Sequence, residues 1–395
     1  MKILYISNKP IYPLIDGGCI AMNQFLKCLI NAGYDIKNFT LSTHKHPFSE
    51  EQFPDKLREI IRPTNFEIDT RIKATKALSY LFKKGSYNID RFNDNSLKRA
   101  ISEYLDNQDT NLVILESIYL AGYISTIKKY SNVKILLRSH NVEFLIWERQ
   151  AQIQSSIVKK FYFKKLAKDL KIAELFYMKR VDGICCVSKN DKKIFQELKI
   201  ATPIATIPIA IEQNSTQSNY EINSFFHIGS MNWGPNLEAI RWLVSTIFPS
   251  IRNQIPAAKL YLAGSNMPKE FITDESKGIE VVGYIDDIFE FMTNKGIMLV
   301  PLKSGSGVRV KLIEGMNLGV PIVTTKIGAE GINGEHNKEI IIAKNEAEFV
   351  EFAVSLSNSK EKRTSLGENA KTFIAKNYQI ENVTKKLIEF IEHIS

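Results

Sequence analysis

The stretch PLKSGSGVRVKLIEGMNLGVPIVTT, Pro301 to Thr325, decides how the rest of the chain is read. The apolar run Gly296 to Val300 leads into it as a buried strand, and Lys303 to Gly307 is a glycine-containing loop. Helical periodicity starts at about Val308, and Pro321 to Thr324 is the next strand. Strand, loop, helix, strand is the repeating unit of a parallel sheet. At the helix start, free backbone N–H groups and the positive dipole end face whatever the loop holds, which makes an anion site of Gly305, Ser306, Gly307 and Val308. Arg309 and Lys311 fall in the first turn, where positive charge is disfavoured unless an anion such as a phosphate compensates it. A unit charge pair at 4 Å is worth on the order of 4 kcal/mol at an effective dielectric near 20, against about 0.3–1 kcal/mol for the helix end, so the side chains would dominate. Glu314 shares a helix face with Lys311. It could accept two hydroxyls, such as those of a ribose, or close a salt bridge within the helix.

The same alternation extends in both directions. Lys2 to Ser7 reads as an opening strand, followed by a helix over Cys19 to Ala32. Further strands are expected near Asp35 to Leu41, Leu112 to Leu115, Lys134 to Leu137 and Gly183 to Val187, with one long helical region at about Glu143 to Lys179. Between Ile204 and Asn223 the periodicity fails, which marks a connector. Strands then resume at Phe225 to Ile228, Lys259 to Ala263, Glu280 to Val282 and Gly296 to Val300, then Pro321 to Thr324 and Glu339 to Ile342. The fold class is therefore α/β, two doubly wound halves with a cleft between the carboxyl ends of their sheets, where open α/β folds bind ligands. Three closing helices, the last over Ile380 to His393, have no strand left to feed.

Composition narrows the function classes. The chain has 395 residues, 44% hydrophobic and 24% charged, which excludes a disordered or low-complexity protein. No apolar run approaches the roughly 20 residues of a membrane span, and Ser7-Asn8-Lys9-Pro10 interrupts the first one too early for a secretory signal. Cys19, Cys28, Cys185 and Cys186 lack zinc or disulfide spacing and read as buried thiols of a cytoplasmic protein. A net charge of +9 implies attraction to polyanions. The basic stretches 71–99 and 159–171 locate that charge, and the second interleaves Phe161, Tyr162, Phe163, Leu166 and Leu170. That pattern suits a helix lying on anionic lipid headgroups, and equally a solvated helix whose apolar stripe enters the core.

Two further constellations stand at strand ends. Asp16-Gly17-Gly18 precedes the first helix, where glycines let a ligand approach the backbone. His140 follows a strand in Arg138-Ser139-His140-Asn141-Val142-Glu143, whereas His227 reads as a core strand residue. A dinucleotide fingerprint and a complete P-loop are both absent, and no Asp-x-Asp pair is available to hold a metal beside phosphates.

These segments together resemble glycosyltransferase family 4, of GT-B architecture: DGG at Asp16 to Gly18, RSHNVE at Arg138 to Glu143, HIGSMNWGPN at His227 to Asn236, VGYIDD at Val282 to Asp287, the Pro301 to Thr325 block, and GAEGI at Gly328 to Ile332. The resemblance implies an N-terminal acceptor domain over 1–207, a linker over 208–223, a donor domain over 224–375, and a terminal helix, 376–395, returning to the first domain. It implies a retaining transferase that moves a sugar from a UDP- or GDP-type donor to a lipid-linked or polysaccharide-precursor acceptor, with no metal, cofactor or nucleic acid, in the cytoplasm or peripherally on the inner membrane face. Gly17 and Gly18 would touch the diphosphate or sugar, and His140 would bond the sugar near the reacting carbon. Arg309 and Lys311 would neutralise the leaving diphosphate, Glu314 would bind the ribose, and Tyr284 and Ile285 would frame the base.

The sequence departs from the family twice. Ser306 stands where the first of two paired glutamates is expected, and Ser230 to Asn236 lacks the usual Arg and Lys of that loop. Arg309 and Lys311 would supply that charge from the other side of the pocket. The departures leave a second reading open, a GT-B subunit that binds a sugar nucleotide or partners an active enzyme without catalysing transfer. A sugar-nucleotide epimerase is a third, with Glu143 as its nearby carboxylate.

Overall fold

The computed structural model describes all residues except 74, 76–78, 81, 82, 84, 214–220 and 306. Ser306, and parts of the basic stretch 71–99 and of the connector 208–223, therefore lie outside the described residues. The chain divides into two compact units, Met1–Ile209 with Val383–Ser395, and Ala210–Asn382.

In the first unit, β1 (Lys2–Ser7), β2 (Asp35–Ser42), β3 (Thr64–Glu67), β4 (Leu112–Glu116), β5 (Lys134–Ser139), β6 (Gly183–Cys186) and β7 (Ile204–Thr206) form one parallel sheet in the order β3-β2-β1-β4-β5-β6-β7. Ile3 to Ile6 and Leu112 to Leu115 are wholly buried, because helices cover both faces and no position alternates toward water. In the second unit, β8 (Ser224–Ile228), β9 (Lys259–Ala263), β10 (Ile279–Gly283), β11 (Ile297–Val300), β12 (Ile322–Thr325) and β13 (Ile341–Ala343) form another parallel sheet in the order β10-β9-β8-β11-β12-β13. Each order reverses once, between β1 and β4 and between β8 and β11. Such switch points are where chains leave in opposite directions and a ligand can enter.

Several expectations are corrected. The helical region from Glu143 to Lys179 is two helices, Glu143–Gln152 and Ile157–Met178, the second opened by Ser156, whose side chain accepts from Lys159 N. The strands β3 and β7 are additional, β7 lying inside the segment expected to be connector. The helix after the glycine loop begins at Val310 with Arg309 at its N-cap, two residues later than its periodicity indicates. The final helix, Ile380–Ile394, contributes residues 383–394 to the first unit, where Ile394 packs against Gly183. Ile211 pairs with Gln379, and Asn317 donates to Glu212 O at 3.0 Å, so the chain after residue 209 is anchored in the second unit.

The aromatic run at 161–163 divides between core and surface. Leu166 and Leu170 are core residues, and Tyr162 and Phe163 pack around Trp147, so of the five apolar positions singled out in the sequence Phe161 faces water. Ile157, Val158, Ile172 and Phe176 join it on the exposed side, among Lys160, Lys164 and Lys168. No described helix is long and apolar enough to cross a membrane.

Candidate active site

In the second unit the switch point gathers the residues of the Pro301 to Thr325 block. β8 ends in His227 and Ile228, and β11 runs through Pro301 and the glycine loop to Arg309. His227 is wholly buried, with Nδ1 2.8 Å from Leu299 O; a carbonyl can only accept, so Nδ1 carries the proton and Nε2 is a lone pair. That lone pair lies 3.4 Å from Lys311 Nζ, which also donates to Ile228 O at 2.7 Å and to Asn236 Oδ1 at 3.1 Å. An ammonium has three N–H donors, and Lys311 directs all of them to the protein. Burial, with Arg309 adding repulsion, pushes its pKa down to about 7, and burial with Lys311 nearby holds His227 well below the usual histidine range. Lys311 thus ties the end of β8, through Ile228 O, and the Gly234–Trp242 helix, through Asn236, to the helix after β11.

Arg309 is 6% exposed. Its Nη1 donates to Gly307 O at 2.6 Å, and its guanidinium lies 4.9 Å from the Trp233 ring centroid, a cation–π distance. Gly305 (φ 110°) and Gly307 (φ 82°) both use the left-handed region that favours glycine. A Cβ on Gly305 would sit 2.8 Å from Trp233 and 3.0 Å from Arg309 Nη2, so a bare backbone layer covers the guanidinium. Arg309 provides no side-chain cap to the Val310–Asn317 helix. Glu314, half-buried on that helix, has no hydrogen bond or ion pair from its carboxylate among the described residues, and burial alone raises its pKa to about 7. It does not close a salt bridge to Lys311, since Lys311 turns toward β8. Tyr284 is 74% exposed and Ile285 half-buried just beyond Gly283.

In the first unit, Asp16 caps the Gly17–Asn31 helix by accepting from Cys19 N at 2.8 Å, and pairs with Lys9 Nζ at 2.6 Å. Burial opposes its ionisation, but His46, Lys9 and the Cys19 N–H outweigh burial and hold the carboxyl far below its usual range. The anion-seeking start of this helix therefore already holds a carboxylate. Gly17 is exposed, and a Cβ on Gly18 would come within 2.8 Å of Lys9 Nζ. His140, with 21% of its side chain exposed, places Nε2 2.6 Å from Glu116 Oε2. Glu116 is wholly buried at the end of β4 and accepts from Arg138 Nη1 at 2.7 Å and from the Tyr5 hydroxyl. Burial works against the charge, but Arg138 and His140 bring its pKa down to about 2. Below them Glu174, wholly buried, accepts from Glu143 N at 3.3 Å and Phe144 N at 3.2 Å. Burial and the Glu143 charge raise it to about 8. Glu116, Arg138, Tyr5 and Glu174 are absent from the candidates read in the sequence; a charge at the end of an otherwise apolar strand, as at Glu116 and Arg138, is the signal that could have found two of them.

Among the described residues no group of three or more His, Cys, Asp or Glu side chains is placed to hold a metal ion.

Two doubly wound units with these strand orders make a GT-B fold. Residues 223–359, from β8 through the helix after β13, match the family of glycosyl transferases, group 1. The second unit thus carries the match to that family, on a chain whose fold is GT-B. A Klebsiella pneumoniae protein named "Uncharacterized 44.6 kDa protein in cps region" is 22% identical over 98% of this chain and 99% of its own length. Sucrose-phosphate synthase from Thermosynechococcus elongatus superposes with a TM-score of 0.69 at 13% identity, covering 100% of this chain and 99% of that one. A variant of TarM from S. aureus, solved with fondaparinux, alpha-GlcNAc-glycerol and UDP, gives 0.66 at 13% identity over 99% of each chain.

Proposed function

We propose that the protein is a retaining transferase that moves a sugar from a nucleoside-diphosphate donor to a lipid-linked or polysaccharide-precursor acceptor during cell-surface glycan synthesis. The observation that carries this reading is Glu314, a half-buried carboxylate with no partner among the described residues, one helical turn from a helix start that has no side-chain cap and has Arg309 beneath it. A ribose supplies the hydroxyls such a carboxylate lacks, and a diphosphate supplies the anion such a helix start lacks. Departure of the nucleoside diphosphate builds charge on its oxygens. Fixed N–H groups and a cation in a low-dielectric setting favour that charge in the transition state over the ground state. The departing phosphate would take the acceptor's proton on the same face, and His140 would bond the donor sugar. No metal is assigned a role, in keeping with the lack of an Asp-x-Asp pair. UDP in the TarM complex and the cps region of the Klebsiella relative support the donor and acceptor classes. Thermal shift against UDP, GDP and ADP tests the donor. A nucleotide at a hundred times its dissociation constant should add about 2.7 kcal/mol of stability, and no shift with any of them sinks the reading.

A peripheral position on the inner membrane face belongs to the same proposal. Ile157 and Phe161 are 85% and 67% exposed beside Lys159, Lys160 and Lys164. Full burial of such a side chain is worth about 1.5–3 kcal/mol, and each lysine near an anionic surface about 1 kcal/mol. The double substitution Ile157→Ser, Phe161→Ser is therefore expected to reduce sedimentation with phosphatidylserine vesicles by at least about tenfold while leaving turnover of a soluble acceptor unchanged. Wild-type protein that ignores such vesicles at low salt would refute this placement.

One observation favours the non-catalytic reading: Lys311, expected at the diphosphate, gives its three donors to Ile228, Asn236 and His227. Protein that binds UDP or GDP by calorimetry yet neither hydrolyses nor transfers any donor sugar would establish that reading instead.

A further inference from the structure

The first unit joins the two segments assigned to the donor, the Gly17–Asn31 helix and His140, through one buried charge network. Equal register in parallel strands puts side chains on the same face, so Arg138 stands beside Glu116. Tyr5 shares that face because its register partner on β4, Ile114, lies two residues before Glu116. Arg138 donates to Glu116 at 2.7 Å and to Ala21 O at 3.1 Å, with its guanidinium 4.2 Å from the Phe25 ring centroid. Ala21 and Phe25 belong to the helix that Asp16 caps. His140, two residues beyond Arg138, reaches the other oxygen of Glu116 at 2.6 Å.

We infer that Glu116 is a positioning residue that fixes the proton of His140 on Nε2 and so presents Nδ1 as the ring's acceptor toward a hydroxyl of the donor sugar. A carboxylate can only accept, so the ring nitrogen facing it must donate whatever the charge on the ring. In the neutral ring Nδ1 then keeps its lone pair. Glu116 is wholly buried and touches no substrate; its effect runs through the imidazole, as an outer partner orients a ligating or catalytic histidine. Arg138 keeps Glu116 ionised and couples it to the Gly17–Asn31 helix, which is why the network contains a cation. The inference rests on the reading that His140 contacts the sugar.

The test is the ring ¹⁵N spectrum of the full-length protein near pH 8, with the His140 resonances assigned by their loss in His140→Gln. The expected pattern is a protonated Nε2 and an unprotonated Nδ1; a proton on Nδ1, or a tautomer mixture, overturns the inference. Glutamine can donate or accept, so Glu116→Gln should yield a mixed tautomer and a fall in kcat of about 30-fold or more with donor KM changed less than about threefold. Glu116→Asp should recover part of the kcat. Should Glu116→Gln fail to fold because Arg138 loses its counterion, the wild-type spectrum still decides. The expected tautomer together with unchanged turnover in His140→Gln would overturn the sugar contact and leave the ring assignment standing, so the two failures are distinguishable.

Discussion

Replacing Arg309 with alanine is expected to reduce transfer by about 10²–10³, or roughly 2.7–4 kcal/mol of transition-state stabilisation, the usual cost of losing one preorganised group that meets developing charge. The argument is positional. Arg309 is buried beside Gly305 and Gly307, two positions that carry no side chain, with its guanidinium 4.9 Å from the Trp233 ring centroid. A diphosphate seated on that loop meets the cation across a low-dielectric gap, where Coulomb energy is several times its value in water. Arg309→Lys should recover little, because an ammonium cannot both bond Gly307 O and stack on Trp233 as a planar fork does. Lys311→Met should behave differently. It leaves Ile228 O and Asn236 Oδ1 without their donor, so the main effect is a loss of about 1–3 kcal/mol in stability with a smaller loss of kcat. Steady-state kinetics beside thermal melts separate the two. Equal kinetic losses in both variants, with unchanged melting, would mean that Lys311 meets the diphosphate directly and that its present bonds break on binding.

The sequence made the sheets legible because strands buried on both faces are continuous apolar runs, as at Ile3 to Ile6 and Met298 to Val300. β3 and β7 escaped for the opposite reason: Thr64-Asn65-Phe66-Glu67 and Ile204-Ala205-Thr206 are short edge strands, only partly buried, and carry little apolar signal. The break at 153–156 was hidden because apolar residues recur on both sides of it and the capping Ser156 is a single residue. The identities around the glycine loop could be read from spacing, but the partner of Lys311 could not. Asn236 lies 75 residues away, and the contact exists only because β8 and β11 are adjacent at the switch point. Periodicity gave Phe161, Tyr162 and Phe163 one shared role, while the structure separates them by the direction each takes from the helix.

Glu314→Gln is expected to weaken donor binding by about 1.5–3 kcal/mol, roughly 10- to 150-fold, which is the worth of hydrogen bonds to a charged acceptor. The variant should also flatten one limb of the pH profile. The carboxyl is raised to about 7 by burial, so in the free protein it is protonated below that pH and ionised above it. Accepting two ribose hydroxyls requires the ionised form, so wild-type affinity should rise as pH increases toward 7, at most about tenfold per unit. Above 7, loss of charge on Lys311, which burial and Arg309 lower to the same region, acts in the opposite direction. Wild type should therefore show a maximum near 7, and Glu314→Gln should keep the alkaline fall while losing the acid limb. The intact sugar nucleotide is the ligand to use, because a free nucleoside diphosphate has a phosphate ionisation near pH 6 that would overlay the profile. A 2′,3′-dideoxy donor supplies the complementary cut from the ligand side. It should bind wild type about as weakly as the normal donor binds Glu314→Gln, and the two losses should not add, since each removes the same contact. Additive losses, or an acid limb that survives the substitution, would take the ribose away from Glu314 and leave its unpartnered carboxylate to another group of the substrate.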